Sequence, residues 1–283
     1  MGSTLLFVHG GVSGTPQTVP DHLHEAVAAG ANVAAAVDAV EAATRVLEDD
    51  PGLNSGTGAV LNRAGRVELD AAICDGATGG YGGVAGVAVK NPVSLARRVM
   101  DSTPHVLMVG QGAIDLGADM EPVTITQEQQ HRWERAGSAG KLTDDSFGAP
   151  EFVDTVGAVA LDESGNLAAA SSTGGVFGKL PGRMGDAAVL GAGLFASHSA
   201  AVVGTGVGEL FIQWLACFRV ARMIEQGSDP QAACRAIIEL IAARDPRPIG
   251  LVALDASGHI GVAYSGAALQ VEGPEGTVTG KQI

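Results

Sequence analysis

Residues 154–175 read DTVGAVALDESGNLAAASSTGG. After the opening Asp-Thr comes an apolar run, a turn built from Asp, Ser and Gly, and a second apolar run, the pattern of two antiparallel strands joined by a tight reversal. GLVALDASGHI (250–260) matches GAVALDESGNL (157–167) at Gly, Val, Ala, Leu, Asp, Ser and Gly in the same order, so a second hairpin is expected near the C-terminus. GAVLNRAGRVELDAAI (58–73) reads as a third, with Asn-Arg-Ala-Gly at its turn. Strands that are apolar on both faces need cover on both sides.

Helical spacing supplies the cover. In ANVAAAVDAVEAATRVLEDD (31–50), Val33, Val37, Val40 and Leu47 recur at intervals of three and four, and Pro51 marks the stop. VGELFIQWLACFRVARMIEQG from Val207 and DPQAACRAIIELIAARD from Asp229 have the same spacing, with Asp229 placed as an N-cap and Pro230 in the first turn. Thr4–Val8 is a short apolar strand delivering the turn His9-Gly10-Gly11. Hairpins and grouped helices in mixed order indicate an α+β layered sandwich, not an alternating βαβ chain. One stretch, TQEQQHRWERAGSAGKLTDDSFGAPEFV (126–153), is polar and weakly periodic, and is expected to be a mobile connection running into Asp154-Thr155.

The bulk numbers narrow the function classes. The 283 residues are expected to form a single domain, and 46% hydrophobic residues with 17% charged describe a packed interior. A formal charge of -14, with no basic cluster, argues against a nucleic acid or an anionic membrane as partner and leaves a small molecule. The three cysteines, Cys74, Cys217 and Cys234, are far apart in apolar surroundings, as reduced core thiols would be. MGSTLLFVHGG lacks a signal-peptide pattern, and no apolar stretch approaches the roughly 20 residues a membrane span needs. A soluble, cytoplasmic protein is expected.

Several motifs invite chemistry they do not complete. Leu190–Ala196 fits a relaxed G-x-G-x-x-A but runs on into SHSAAVVGTG, not a helix. Gly204-Thr-Gly-Val-Gly lacks the Lys of a P-loop, and His22 and His24 have no further ligand at metal spacing. His9-Gly10-Gly11 resembles an esterase oxyanion turn, yet no G-x-S-x-G occurs in the chain.

Thr155 is different. A threonine hydroxyl is a weak nucleophile unless a base adjoins it, and an N-terminal threonine carries its own base, an α-amine titrating near about 7.7–8.0. Scission between Asp154 and Thr155 would create that terminus, with the Thr155 hydroxyl attacking the preceding carbonyl. Alone, a threonine opening a strand is only a β-former. The hairpin, however, returns Thr173 to its neighbourhood, and KLPGRMGD then supplies Arg183 and Asp186. A guanidinium fork holds a carboxylate in two parallel hydrogen bonds while an aspartate accepts from an ammonium, so the pair suits an amino acid. Thr205-Gly206, where a small apolar run meets a helix start, offers a hydroxyl and an N–H to an oxyanion.

These residues, with VHGG (8–11), the 38–76 stretch, KLPGRMGDAAVLGAG (179–193) and GTGVGELFI (204–212), resemble the plant-type L-asparaginase and isoaspartyl peptidase family of N-terminal nucleophile hydrolases nearly end to end. The resemblance implies a four-layer αββα sandwich, self-cleavage before Thr155 into an α chain (1–154) and a β chain (155–283), and pairing of two such αβ units. It implies Thr155 as nucleophile supported by Thr173, Arg183 and Asp186 as the clamp for substrate α-carboxylate and α-amine, and Thr205 and Gly206 as the oxyanion site. Asn54 falls in a loop that in the family lies near the nucleophile, and whose backbone carbonyls hold a structural sodium ion; no cofactor is implied for catalysis. The expected reaction is hydrolysis of asparagine or β-aspartyl dipeptides with release of aspartate. Asp154 stands where many such asparaginases carry glycine and where glycosylasparaginases carry aspartate, and AYSGAALQVEG (263–273) departs from the family's usual segment. Glycosylasparaginase activity, or a non-catalytic unprocessed binding protein, are the alternatives.

Overall fold

The computed structural model describes residues 4–13, 21–138 and 155–283. Along the chain lie β1 (Leu5–Ser13), α1 (Asp21–Ala31), α2 (Ala36–Asp49), β2 (Leu69–Asp75), β3 (Gly80–Val87), α3 (Pro92–Ser102), β4 (Leu107–Val109), α4 (Gly110–Leu116) and α5 (Gln127–Ser138). After them come β5 (Val156–Leu161), β6 (Leu167–Thr173), β7 (Leu194–Ala196), β8 (Ala200–Gly206), α6 (Gly208–Trp214), α7 (Ala216–Glu225) and α8 (Pro230–Ala242). The chain closes with β9 (Ile249–Asp255), β10 (Ile260–Tyr264), β11 (Ala268–Gly273), β12 (Gly276–Thr277) and β13 (Lys281–Gln282). The strands form an eight-stranded sheet in the order β12-β11-β1-β5-β6-β2-β3-β4 and a five-stranded sheet in the order β13-β10-β9-β8-β7.

Strand alternation explains the mixed α/β architecture of two sheets flanked by helices. On β5, Val156, Ala158 and Ala160 pack with α1, α2 and α3, while Val159 on the opposite face joins the core between the sheets. On β8 and β9, Ala200, Val202, Leu251 and Ala253 face α7 and α8, and Ala201, Val203, Val252 and Leu254 face the other sheet. The wealth of alanine and valine follows, because a strand buried on both faces must let helix and sheet approach closely.

Both hairpins of the opening repeat are present, and the repeat is turn chemistry. Asp162 Oδ1 accepts from the N–H groups of Ser164 and Asn166, and Gly165 takes φ +82°. Asp255 Oδ1 likewise accepts from Ser257 and His259, with Gly258 at φ +84°. Asp229 caps α8 as expected by accepting from Ala232 N.

Four expectations need correction. Residues 58–73 make no hairpin of paired strands: Asn62 turns the chain, but the first arm lies under a distant loop, with Gly178 N donating to Leu61 O and Arg63 N to Lys179 O, so its backbone is committed elsewhere. The polar stretch from residue 126 contains α5, anchored by Gln129 Nε2 on Gly58 O (2.9 Å) and Trp133 Nε1 on Asn62 O (3.0 Å); residues 139–154 lie outside the described residues. The helix from Val207 is two helices, broken at Leu215 with φ 47°. His9-Gly10-Gly11 is a bulge within a continuing strand, Gly11 having φ 116°. Among the described residues, no helix is long and apolar enough to cross a membrane.

Candidate active site

The antiparallel register Val156↔Ser172 sets Thr155, just before β5, beside Thr173, the last residue of β6. Thr155 Oγ1 donates to Thr173 Oγ1 at 3.2 Å, and Gly175 N donates to the same oxygen at 3.0 Å. Both threonines are buried. A second donor on Thr173 Oγ1 makes that hydroxyl a weaker acceptor but fixes its position, which in turn orients the Thr155 hydroxyl.

Thr155, Thr173, Arg183, Asp186 and Gly206 surround one small cavity of about 10 Å³, with Gly175 and Val176 completing its wall. Thr205 and Asn54 stand behind that wall. Thr205 Oγ1 accepts from Val12 N at 3.3 Å, tying the end of β8 to β1. Asn54 is fully engaged: Nδ2 donates to Gly175 O (2.7 Å), Oδ1 accepts from Val60 N (3.0 Å), and its carbonyl accepts from Gly174 N. It therefore holds the turn after Thr173 and does not reach into the cavity. The main chain at Asp154 lies outside the described residues.

The carboxylate-binding fork expected of Arg183 is already in use on one edge. Its Nε and Nη2 donate to Glu209 Oε1 and Oε2, each at 2.9 Å. Asp186 is buried, its Oδ2 has no hydrogen-bond partner among the described residues, and burial pushes its carboxyl up to about 7 against the pull of the Arg183 charge.

Several groups here escaped the sequence reading. His9, wholly buried on β1, lies against the Thr155 backbone without a hydrogen bond of ordinary geometry, and burial lowers its pKa to about 3, so the ring is neutral. Glu209 had a signal only in its place three residues after Gly206. Lys179 is buried, Nζ donating to Glu68 O at 2.7 Å and lying 3.9 Å from Asp70; burial lowers its pKa, opposed by the Asp70 charge. Asp70 Oδ2 accepts from Gly185 N at 2.8 Å, and the Glu68 carboxylate from Gly182 N, so the start of β2 tethers the loop bearing Arg183 and Asp186. Nothing in the motif KLPGRMGD distinguishes a buried lysine from an exposed one. Among the described residues no three His, Cys, Asp or Glu side chains converge as metal ligands, which leaves His22 and His24 at the surface.

The family model described as asparaginase matches residues 3–277. The chain is 39% identical to the isoaspartyl peptidase of Salmonella typhimurium over 94% of this chain and 93% of that protein. It is 39% identical to the plant-type L-asparaginase of Pyrococcus furiosus, covering 91% and 92% of the two chains. To the isoaspartyl peptidase/L-asparaginase of Rattus norvegicus it is 35% identical, covering 94% and 85%.

Proposed function

The chain belongs to the asparaginase family, hydrolases that include isoaspartyl peptidases, and from that premise we propose that it is a self-processing threonine amidohydrolase releasing aspartate from asparagine or β-aspartyl dipeptides. The fold is then the αββα sandwich of N-terminal nucleophile hydrolases, one domain matured into chains 1–154 and 155–283 and working as a pair of αβ units. The observation that carries the reading is the Thr155–Thr173 hydroxyl contact of 3.2 Å on the wall of a cavity shared with Arg183 and Asp186.

The chemistry runs in two halves. In the uncut chain, Thr155 Oγ attacks the Asp154 carbonyl, and the resulting ester is hydrolysed to leave Thr155 with a free α-amine. That amine then takes the hydroxyl proton as Oγ attacks the side-chain carbonyl of the substrate. Thr173 Oγ holds the nucleophile in line, and the Gly206 N–H on the cavity wall receives the developing oxyanion, with Thr205, tied to β1 through Val12, holding the end of β8 in place. The leaving amine, ammonia or an amino acid, departs protonated; water attacks the aspartyl ester and frees aspartate. Arg183 takes the α-carboxylate and Asp186 the α-ammonium. A cavity of about 10 Å³ holds no more than one water.

A structural sodium suits the loop before the site. A Cβ on Gly58 would meet the carbonyls of Leu53 and Pro51, and one on Gly56 those of Glu48 and Lys90, so the glycines let main-chain carbonyls, hard neutral oxygens of the kind sodium takes, pack closely along this loop. Such an ion would stabilise the loop whose Asn54 holds the Gly174–Gly175 turn.

Thr155→Ala is expected to leave a single 28.4 kDa band on a denaturing gel and to release no aspartate. The unsubstituted protein is expected to yield a chain whose mass begins at Thr155. Scission in the alanine variant would disprove self-processing by this hydroxyl.

A further inference from the structure

Arg183 and Asp186 sit three residues apart on one loop, with opposite charges at a small buried cavity. Left to themselves such groups attract strongly, and a clamp whose two jaws pair with each other cannot take substrate. What prevents this comes from another element. α6 begins at the end of β8 with Gly208-Glu209, and Glu209 grips the Nε–Nη2 edge of Arg183 with two bonds of 2.9 Å. Arg183 Nη1 is thereby turned toward the cavity, 3.2 Å from where a Cβ of Gly175 would stand. Gly208 completes the seat: a Cβ there would lie 2.6 Å from Asp186 Oδ1 and 3.0 Å from Arg183 Nη2, so only glycine lets the first turn of α6 approach both jaws.

We propose that Glu209 is the positioning residue of the substrate clamp. It holds Arg183 away from Asp186, aims Nη1 at the substrate α-carboxylate and leaves Asp186 available to the α-ammonium, making the site selective for substrates that carry both groups. This rests on the reading of Arg183 and Asp186 as the clamp. An arginine side chain has much rotamer entropy to lose, and the two bonds to Glu209 remove part of that freedom before substrate arrives. Glu209 also offsets part of the Arg183 charge felt by Asp186.

The test compares the mature enzyme with Glu209→Gln on asparagine, a β-aspartyl dipeptide and 3-aminopropanamide, which has the ammonium and the amide but no carboxylate. Glu209→Gln is expected to raise KM for the first two by about tenfold while kcat changes by less than about threefold, and to narrow the preference over 3-aminopropanamide. With Glu209 neutral, Arg183 acts undiminished on Asp186 and favours its anion. The acid limb of kcat/KM therefore moves to lower pH, a change that mere loosening of the fold would not produce. Glu209→Asp restores part of the loss. Should Glu209→Gln fail to mature, Glu209→Asp carries the test, with an intermediate KM expected. A mature variant with unchanged KM, an equal KM rise for all three compounds, or an unmoved acid limb overturns the role of Glu209. An unsubstituted enzyme that releases no aspartate overturns the functional reading instead.

Discussion

Asp186 carries a conflict between stability and binding that a pH series can expose. Burial raises its carboxyl from about 3.8 to about 7 in the folded protein. Between these values the unfolded chain has lost the proton while the folded one keeps it, so the contribution of this group to stability is full below about pH 4 and is lost as pH rises through 7. Above 7 the ligand-free fold holds a buried carboxylate with an unpartnered oxygen. Asp186→Asn is therefore expected to melt higher than the unsubstituted protein at pH 8, by a larger margin than at pH 5, while losing activity on asparagine. Equal margins at the two pH values would show that the carboxyl titrates normally. Thr155, Thr173, Arg183 and Asp186 were readable as candidates because residue type and order carry their chemistry. His9 and Lys179 were not, because being wholly buried is a property of surroundings, not of residue type.

Among the elements, α6 and α7 are separated by Leu215, a half-exposed side chain in left-handed backbone at φ 47°. That conformation costs a side-chain-bearing residue about 1–2 kcal/mol, and glycine adopts it without strain. Leu215→Gly is expected to stabilise the protein by about 1 kcal/mol, read as a higher urea midpoint at unchanged slope. Asp229→Ala, which removes the α8 cap, is expected to destabilise by about 1 kcal/mol in the same assay. The two hairpins and α2 were legible from period and turn residues. α5 was not, since Gln129 and Trp133 hold it by polar anchors that leave little apolar periodicity. Nor was the break at Leu215, because the sequence on either side is equally helical.

At the scale of the molecule, sheet order bears on maturation. β1, β2, β3 and β4 precede Thr155, whereas β5, β6, β11 and β12 follow it, and the eight-stranded sheet interleaves them at the β11–β1, β1–β5 and β6–β2 junctions. The tethers from Glu68 and Asp70 to the 179–185 loop cross the same divide. Chains 1–154 and 155–283 are thus expected to elute together on native size exclusion and to part only in denaturant. Elution as two separate chains would contradict this interleaving.

By itself the sequence determined the two hairpins of the Asp-Ser-Gly repeat, helices α2 and α8, and the order of candidate residues from Thr155 to Gly206, since side-chain period and turn chemistry act over a few residues. Tertiary structure alone decided which strands became neighbours, that Asn54 supports the site from behind, and that Glu209 grips Arg183. Those outcomes depend on contacts between residues 26 to more than 100 positions apart, and long-range packing leaves no local pattern to read.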